Sequence, residues 1–578
     1  MKLELAKLRI IGIHDNHNAS VCLLEDGKLL FAIQEERLNR IKNFGGFPDL
    51  SLKMALQRNN LEIDDVDFFA FPFEHNPQIF RTQAEWIQWC KSADNWQTPL
   101  VEAFRESPAF RLYKAYNRHE RMKRIRKAGI PPGKVKFVNH HLAHAAAAYY
   151  GSPYDKGEDV LVFTLDGAGD GLCASVSVGK HGKLERIATT GDGHSIATIY
   201  AHVTFMLGMT PIEHEYKVMG LAPYSKPEYF ATAYEKLSGL IKVDGLSFTR
   251  TCSTSTMYAY RILKNLLRYE RFDNIAGALQ RVTEERIVAW IRNSVAKTGI
   301  KNIACAGGAF MNVKANQRIG EMPECERLFI FPSSGDESSS IGAAYETYAE
   351  SQLEIGEEVK IEPIGSLYLG PSYREEEIQA AVQAFKEKYT IRAEATGDPE
   401  ATIADLLHKN KVVARFDGRL EFGARALGNR SILANPSDLS NTKKINDMIK
   451  MRDFWMPFAP TIISERETDY VTNPKGIPAP YMIITFDTTD RRREIQAAMH
   501  PADFTVRPQV LARDENPAYW SIINRFAENT SVGAILNTSF NLHGEPIVAS
   551  PEDALSTFVR SGLEYLMLED LLVSKTSS

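Results

Sequence analysis

Apolar runs broken by turn residues divide the first half of the chain into two sets of elements of one design. Arg9 to Glu36 reads as a three-stranded meander: RIIGI, the polar turn HDNHNAS, then VCLLE and KLLFAIQ joined by Asp26-Gly27, a hairpin signal. VLVFTLDGAGDGLCASVSVGKHGKLERI repeats the order as strand, glycine-rich turn, strand, glycine turn, strand. Two such meanders predict a duplicated fold. FFAFPF predicts a further strand at Phe68 to Phe73. Residues 76–130 are aromatic, charged and mostly helical, and predict an insertion whose Trp86, Trp89 and Trp96 either pack between helices or cover a substrate site.

The most informative stretch is VKFVNHHLAHAAAAYY, a short apolar run followed by an alanine-rich helical segment. His140 and His144 are four apart, so both imidazoles share one helix face while His141 points elsewhere. Two neutral imidazoles on one face suit a divalent metal, with acidic oxygens from elsewhere completing the shell. Ordinary helix histidines satisfied by hydrogen bonds remain the alternative. The zinc-protease reading fails, because no glutamate follows the first histidine.

Further polar groups gather at predicted strand ends, where open α/β sheets bind ligands: His14, Asp15, His17 and Asn18 after the first strand, and Asp166 leading DGAGDG. Glycines there admit a phosphate and carboxylates a metal, although Asp-Gly is also a plain turn. KNIACAGGAFMNVKANQRI predicts a strand that ends at Gly307-Gly308 and enters a helix near Asn312, a geometry that suits a nucleotide. LFIFPSSGDESSSIGAAYE predicts a strand, a turn with Gly335 and Asp336, and a helix from about Ser338.

Leu353 to Pro363 turns acidic and loses periodicity, which predicts domains at 1–352 and 366–578 joined by a linker at 353–365. In the second, VVARFDGRLEFGARALGNRSILANP sets Arg415, Arg419, Arg425 and Arg430 among glycines. Planar guanidinium forks suit phosphate or carboxylate, and glycines let backbone come close. Lys450, Arg452, His500, Arg507, Asn537, Ser539 and Asn541 add basic and amide groups, so the pocket reads as one for an anion.

Composition narrows the class. A chain of 578 residues with a net charge of -5 carries no basic stripe for nucleic acid beyond RHERMKRIRK, which reads as a solvated helix face. No apolar run reaches the ~18 residues a membrane span needs. The six cysteines form no CxxC pair, and the N-terminus lacks a secretory pattern, so a reduced, cytoplasmic protein is expected.

With these residues in view, the chain resembles the O-carbamoyltransferases of nodulation-factor, tobramycin and cephem biosynthesis. The resemblance rests on HNAS at His17, EERLNRIK at Glu35, NHHLAH at Asn139, TLDGAGD at Thr164, EYKVMGLAPY at Glu215, AGGAFMN at Ala306, EFGARALGNRSILA at Glu421, PFAP at Pro457 and NTSFN at Asn537. It implies an α/β protein of two parts. The first is a duplicated actin-like ATPase (ribonuclease H-like) domain similar to the tRNA threonylcarbamoyl transferase. The second is a YrdC-like α/β domain similar to the threonylcarbamoyl-adenylate synthase.

The implied activity is ATP- and Mg²⁺-dependent conversion of carbamoyl phosphate to a carbamoyl adenylate, then transfer to a hydroxyl of a small-molecule natural product, such as an antibiotic or toxin. By resemblance His140, His144, Asp166 and Asp336 hold the metal, which is Fe²⁺ or another divalent ion. Lys42, Gly167, Gly169, Asp170, Gly307, Gly308, Asn312 and Gly335 hold the nucleotide in the first domain. Arg419, Arg425, Lys450, Arg452, Arg507, Asn537, Ser539 and Asn541 hold carbamoyl phosphate and ATP in the second. Asn18 stands where many relatives carry aspartate, which leaves His17 as the expected catalytic base; Ala424 and Ser225 depart from the usual proline and glycine without removing a ligand. No nucleic acid or membrane partner is expected, and a homodimer stays open. Threonylcarbamoyl transfer to tRNA and a non-catalytic ATP-binding regulator are the competing readings.

Overall fold

The first strand, β1 (Arg9–His14), pairs antiparallel with β2 (Ser20–Glu25), and β2 with β3 (Lys28–Gln34). Asp26 and Gly27 both take positive φ, as a two-residue hairpin turn requires. The computed structural model describes residues 7–73 and 107–575, with positions 85, 88, 100 and 104. Trp86, Trp89 and Trp96 therefore lie outside the described residues.

β4 (Phe68–Pro72) adds parallel to β1, and β5 (Val135–Val138) parallel to β4, giving the order β3-β2-β1-β4-β5. The second half repeats this. β6 (Val160–Gly169), β7 (Leu172–Lys180) and β8 (Lys183–Gly191) form the meander. A small hairpin follows, β9 (Ile241–Asp244) with β10 (Ser247–Arg250). Then β11 (Asn302–Ala306) and β12 (Arg327–Ile330) complete β8-β7-β6-β11-β12, the same order as the first sheet. The duplication expected from the two meanders thus extends to whole five-stranded sheets.

Each half ends in a helix, and each helix crosses to the other half. His140–Gly151, after β5, lies against β6, β7 and β11; Ser339–Glu354, after β12, lies against β1, β2 and β4. The two helices pack against each other so closely that a Cβ on Gly342 would stand 1.8 Å from the Ala143 carbonyl oxygen. Gly12 does the same for the sheet, since a Cβ there would meet the Ser340 carbonyl oxygen at 2.0 Å. Small residues at these two points let backbone approach backbone. The crossed helices bring their N-terminal ends to the end of β6.

The second unit is one mostly antiparallel sheet. Its strands are β13 (Ile391–Ala395), β14 (Val413–Phe416), β15 (Arg430–Ala434), β16 (Ala459–Ile463), then a three-stranded side sheet of β17 (Val471–Thr472), β18 (Phe486–Thr488) and β19 (Thr505–Val506). β20 (Gln509–Leu511), β21 (Ala534–Ser539), β22 (Tyr565–Leu568) and β23 (Leu571–Lys575) complete the order β13-β23-β22-β14-β15-β21-β16-β20. Its core buries Ile432, Leu536, Phe540, Phe558 and Leu566.

The units divide as 1–35 with 43–365, and 36–42 with 366–578. Two expectations change here. The segment at 353–365 is not a free linker: Glu362 donates its backbone N–H to Gly27, Ile364 donates to Gly151, and Val359, Ile361 and Ile364 are buried on the first unit. Glu36–Lys42, expected in the first domain, belongs to the second, because Arg37 donates to the Gly423 carbonyl at 2.7 Å and Arg40 to the carbonyls of Pro546 and Ile547.

Candidate metal and anion sites

The histidine helix begins where Asn139 caps it, its side chain accepting from the Leu142 N–H. Asp170 accepts the N–H of His140 at 2.8 Å, so the first turn is fixed from two sides. This places His140 and His144, both fully buried, beside two carboxylates. His144 Nε2 lies 3.2 Å from Asp166 Oδ2 and 3.4 Å from Asp336 Oδ1; His140 Nε2 lies 3.4 Å and 3.8 Å from the same two atoms. One ligand atom from each of the four residues lies within 4.8 Å of the others.

The electrostatics of this group call for positive charge. Burial alone would strip the proton from His144, but Asp166 and Asp336 override it and hold the ring up at about 9. Burial would likewise neutralise Asp166, yet His140 and His144 keep its carboxyl well below the usual range. Among the described residues, the buried atoms His140 Nε2 and Asp336 Oδ1 make no hydrogen bond. Two imidazoles, two carboxylates and orphaned donor atoms facing one point fit a divalent first-row metal, without choosing among iron, manganese and zinc. His141 is elsewhere, as expected, with Nδ1 2.8 Å from Thr164 Oγ1.

The glycines around this group act on it in different ways. A Cβ on Gly169 would stand 2.0 Å from the His140 ring, and one on Gly308 3.1 Å from Asp166 Oδ1. Gly307, at φ +104, passes against the Leu165 backbone, and a Cβ on Gly335 would meet Glu337 at 2.5 Å; Gly167 has open space. DGAGDG is not one turn: β6 runs on to Gly169, and the reversal falls at Asp170 and Gly171. Asp170 caps the histidine helix. Asn312 caps Val313–Glu321 and exchanges two amide hydrogen bonds with Gln280, at 2.9 and 3.0 Å. Both side chains expected at the nucleotide are therefore engaged in holding helices.

Sequence reasoning placed His14 at a strand end but not in this group. It is buried, 4.0 Å from Asp336 Oδ2, with Nδ1 2.9 Å from Ser339 Oγ and Nε2 donating to the His17 carbonyl at 2.7 Å. Burial pulls its pKa down to about 4, so it is neutral there. His17 itself is half-buried in the β1–β2 turn.

In the second unit the arginines separate by role. Glu421 Oε1 accepts three backbone N–H groups, from Leu427, Asn429 and Arg430, and the glycine loop wraps around it. Arg415 is held by Asp417 and by the Gly428 carbonyl; Arg430, fully buried, donates to the carbonyls of Asp417, Gly418 and Asn429. Arg419, expected at the anion, donates to the carbonyls of Leu369 and Gly370, where its fork meets the incoming segment.

Arg425 joins a different set. Burial, then repulsion from Arg425 and Arg452, pulls the Arg507 pKa well below its ordinary value; burial, then Arg452 and Lys42, does the same to Lys450. Lys450 Nζ donates to Ser539 Oγ at 3.1 Å and Asn541 Oδ1 at 2.8 Å, and Arg452 to Thr538 Oγ1 at 2.9 Å. Asn537 donates to Ala426 and Thr461, leaving its buried Oδ1 without a hydrogen bond among the described residues. Lys42, expected beside the nucleotide of the first domain, stands instead with these cations. Arg37, Arg40 and Thr538 lie in the EERLNRIK and NTSFN stretches, but nothing in those stretches showed that Arg37 and Arg40 tie the 36–42 segment to this unit or that Thr538 accepts from Arg452.

Comparison with known proteins finds two matching family models. A family model described as "Carbamoyltransferase N-terminus" matches residues 9–345, and one described as "Carbamoyltransferase C-terminus" matches residues 404–575. An uncharacterized protein of Methanocaldococcus jannaschii is 32% identical over 98% of this chain and 99% of its own. The nodulation protein NolNO of Sinorhizobium fredii is 29% identical over 97% of this chain and 79% of its own. Nodulation protein U of Bradyrhizobium diazoefficiens is 24% identical, covering 98% of each.

Proposed function

The chain belongs to the carbamoyltransferase family and is a carbamoyltransferase, and from that premise we propose that it activates the carbamoyl group with ATP and passes it to a hydroxyl of a small molecule. The observation that carries this reading is the pairing of opposite needs: a set of cations in the second unit that repel one another, and a set of acids and imidazoles in the first that attracts a cation. Lys42, Arg425, Lys450, Arg452 and Arg507 suit a triphosphate and carbamoyl phosphate, since an anion neutralises like charges gathered around the buried Lys450.

A carbamoyl group needs a good leaving group to react with an alcohol. Water first cleaves carbamoyl phosphate to carbamate and phosphate. A carbamate oxygen then attacks the α-phosphorus of ATP, pyrophosphate leaves, and carbamoyl adenylate forms. The acceptor oxygen attacks the carbonyl carbon, AMP leaves, and the hydroxyl proton passes to a base, for which His17 is our candidate. His140, His144, Asp166 and Asp336 would hold Fe²⁺ or a similar ion, which supplies Lewis-acid stabilisation of developing negative charge. Asp170 and Asn139 fix the first turn of the helix that carries the two buried imidazoles.

Support for a small acceptor is the net charge of -5, which offers an RNA backbone no attraction. The same field gives no reason to expect a nucleic acid partner. The test is incubation with carbamoyl phosphate, ATP and Mg²⁺ without acceptor. Pyrophosphate and a carbamoyl adenylate by mass spectrometry are expected. Their absence in folded, metal-supplied protein would sink the adenylation step, and a requirement for threonine and bicarbonate would move the protein to tRNA chemistry.

A further inference from the structure

Among the described residues, the ring of His140 is faced by an aromatic stack on one side and by backbone on another. A metal-binding histidine is oriented by groups beyond the metal, ordinarily a carboxylate, carbonyl or water that takes its far N–H and so fixes both tautomer and orientation. What faces the ring is Phe73, stacked at 4.2 Å between centroids and 18° from parallel, and on another side the Cα of Gly169, where a Cβ would overlap the imidazole.

Phe73 holds that position against its own backbone preference. Its φ of +87° is an outlier for a bulky residue, a conformation that persists only where the surroundings over-determine it. Two bonds do so: the Phe73 N–H donates to the Val138 carbonyl at 2.8 Å, and Arg121 Nη1 donates to the Phe73 carbonyl at 2.7 Å. Arg121 is 4% exposed and uses the rest of its fork nearby. Nε and Nη2 grip the two oxygens of Asp15 at 2.8 and 2.5 Å, Nη2 also reaches the Pro72 carbonyl at 3.3 Å, and the guanidinium lies over Phe71 and Phe137. Asp15 follows His14, the ring beside Asp336.

We propose that Arg121 and Phe73 are positioning residues for the metal group: the aromatic stack orients the His140 ring, and the guanidinium locks the strained backbone that presents it. Arg121 lies on the helix Pro108–Lys127, the last part of the insertion, which thereby acquires a role in shaping the site. The inference rests on His140, His144, Asp166 and Asp336 binding a metal, and is independent of whether carbamoyl adenylate is made.

The probe is Co²⁺ alone, titrated into full-length metal-free protein, with its visible absorption band and its affinity in competition with a chelator as readouts. Phe73→Leu, which keeps bulk but loses the planar face, is expected to weaken Co²⁺ at least about 10-fold and shift the band, the scale seen when a ligand's supporting partner is removed. Arg121→Lys keeps the charge but not the fork, and is expected to shift the band in the same direction. The melting temperature of each metal-free variant separates folding from positioning. If wild type binds no Co²⁺, the metal reading itself fails. If wild type binds and both folded variants match it in affinity and spectrum, or lose only melting temperature, the positioning role is overturned.

Discussion

The two candidate sites are electrostatic opposites. In the first unit two buried imidazoles face two partly exposed carboxylates, and their mutual attraction holds a proton on His144. In the second, Lys450 and Arg507 are surrounded by other cations, and repulsion adds to burial in pulling their pKa values down. The difference teaches that each group is arranged for a partner of opposite sign. A buried charge without compensation is costly, so a fold that concentrates like charges is organised for what neutralises them.

The sharpest way to break this comparison is to remove one member of the first site and measure both half-reactions. His144→Ala and Asp166→Asn are expected to lower carbamoyl transfer by about 10³-fold or more, while pyrophosphate formation stays within about twofold. Equal loss of both would mean that the units do not divide the labour.

Acid stability comes next. Burial lowers the pKa of His202 in the first unit to about 4, so the folded ring stays neutral while the unfolded ring gains a proton below ~6.5. Stability is full above that value and is lost as pH falls towards 4, by at most about 3 kcal/mol. His202→Gln, which keeps a donor for the Met257 carbonyl, should flatten the denaturant midpoint between those pH values. Lys450 gives the second unit its own window on the alkaline side: the folded lysine binds fewer protons than the unfolded one below ~10.4, so raising pH through that range stabilises.

Lys450→Ala and Arg507→Ala should lower pyrophosphate formation about 100-fold, the scale of a lost charge-assisted hydrogen bond. Transfer from supplied carbamoyl adenylate should survive; if it falls equally, the cations serve the wrong step. Smallest of all, Arg419→Ala should cost about 1 kcal/mol of stability by freeing the Leu369 and Gly370 carbonyls, with pyrophosphate formation nearly unchanged. A large catalytic effect there would return Arg419 to the anion site.

Much of this was legible in the chain. Alternating runs with Asp-Gly turns placed both meanders, because strand period and turn chemistry are local. His140 and His144 were legible as a pair, because helical spacing alone sets them on one face. Arg419 and Arg425 were not separable, since identical side chains six residues apart on one loop differ only in what the folded loop brings near them. Asp170 and Asn312 likewise carry the signature of ligands, and their capping bonds exist only once the helices are placed.

The sequence by itself determined the elements, the repeat and the residue types from which each site is made, since these follow from periodicity, turn preference and side-chain chemistry. Tertiary structure alone decided that each half's last helix lies on the other half's sheet, which carries Asp336 to a histidine pair almost two hundred residues earlier. It also decided that Glu36–Lys42 leaves the unit it is spliced into and joins the other. The physical reason is the same in both cases. Long-range placement follows from which buried surfaces and carbonyls complement one another, and no local pattern records that.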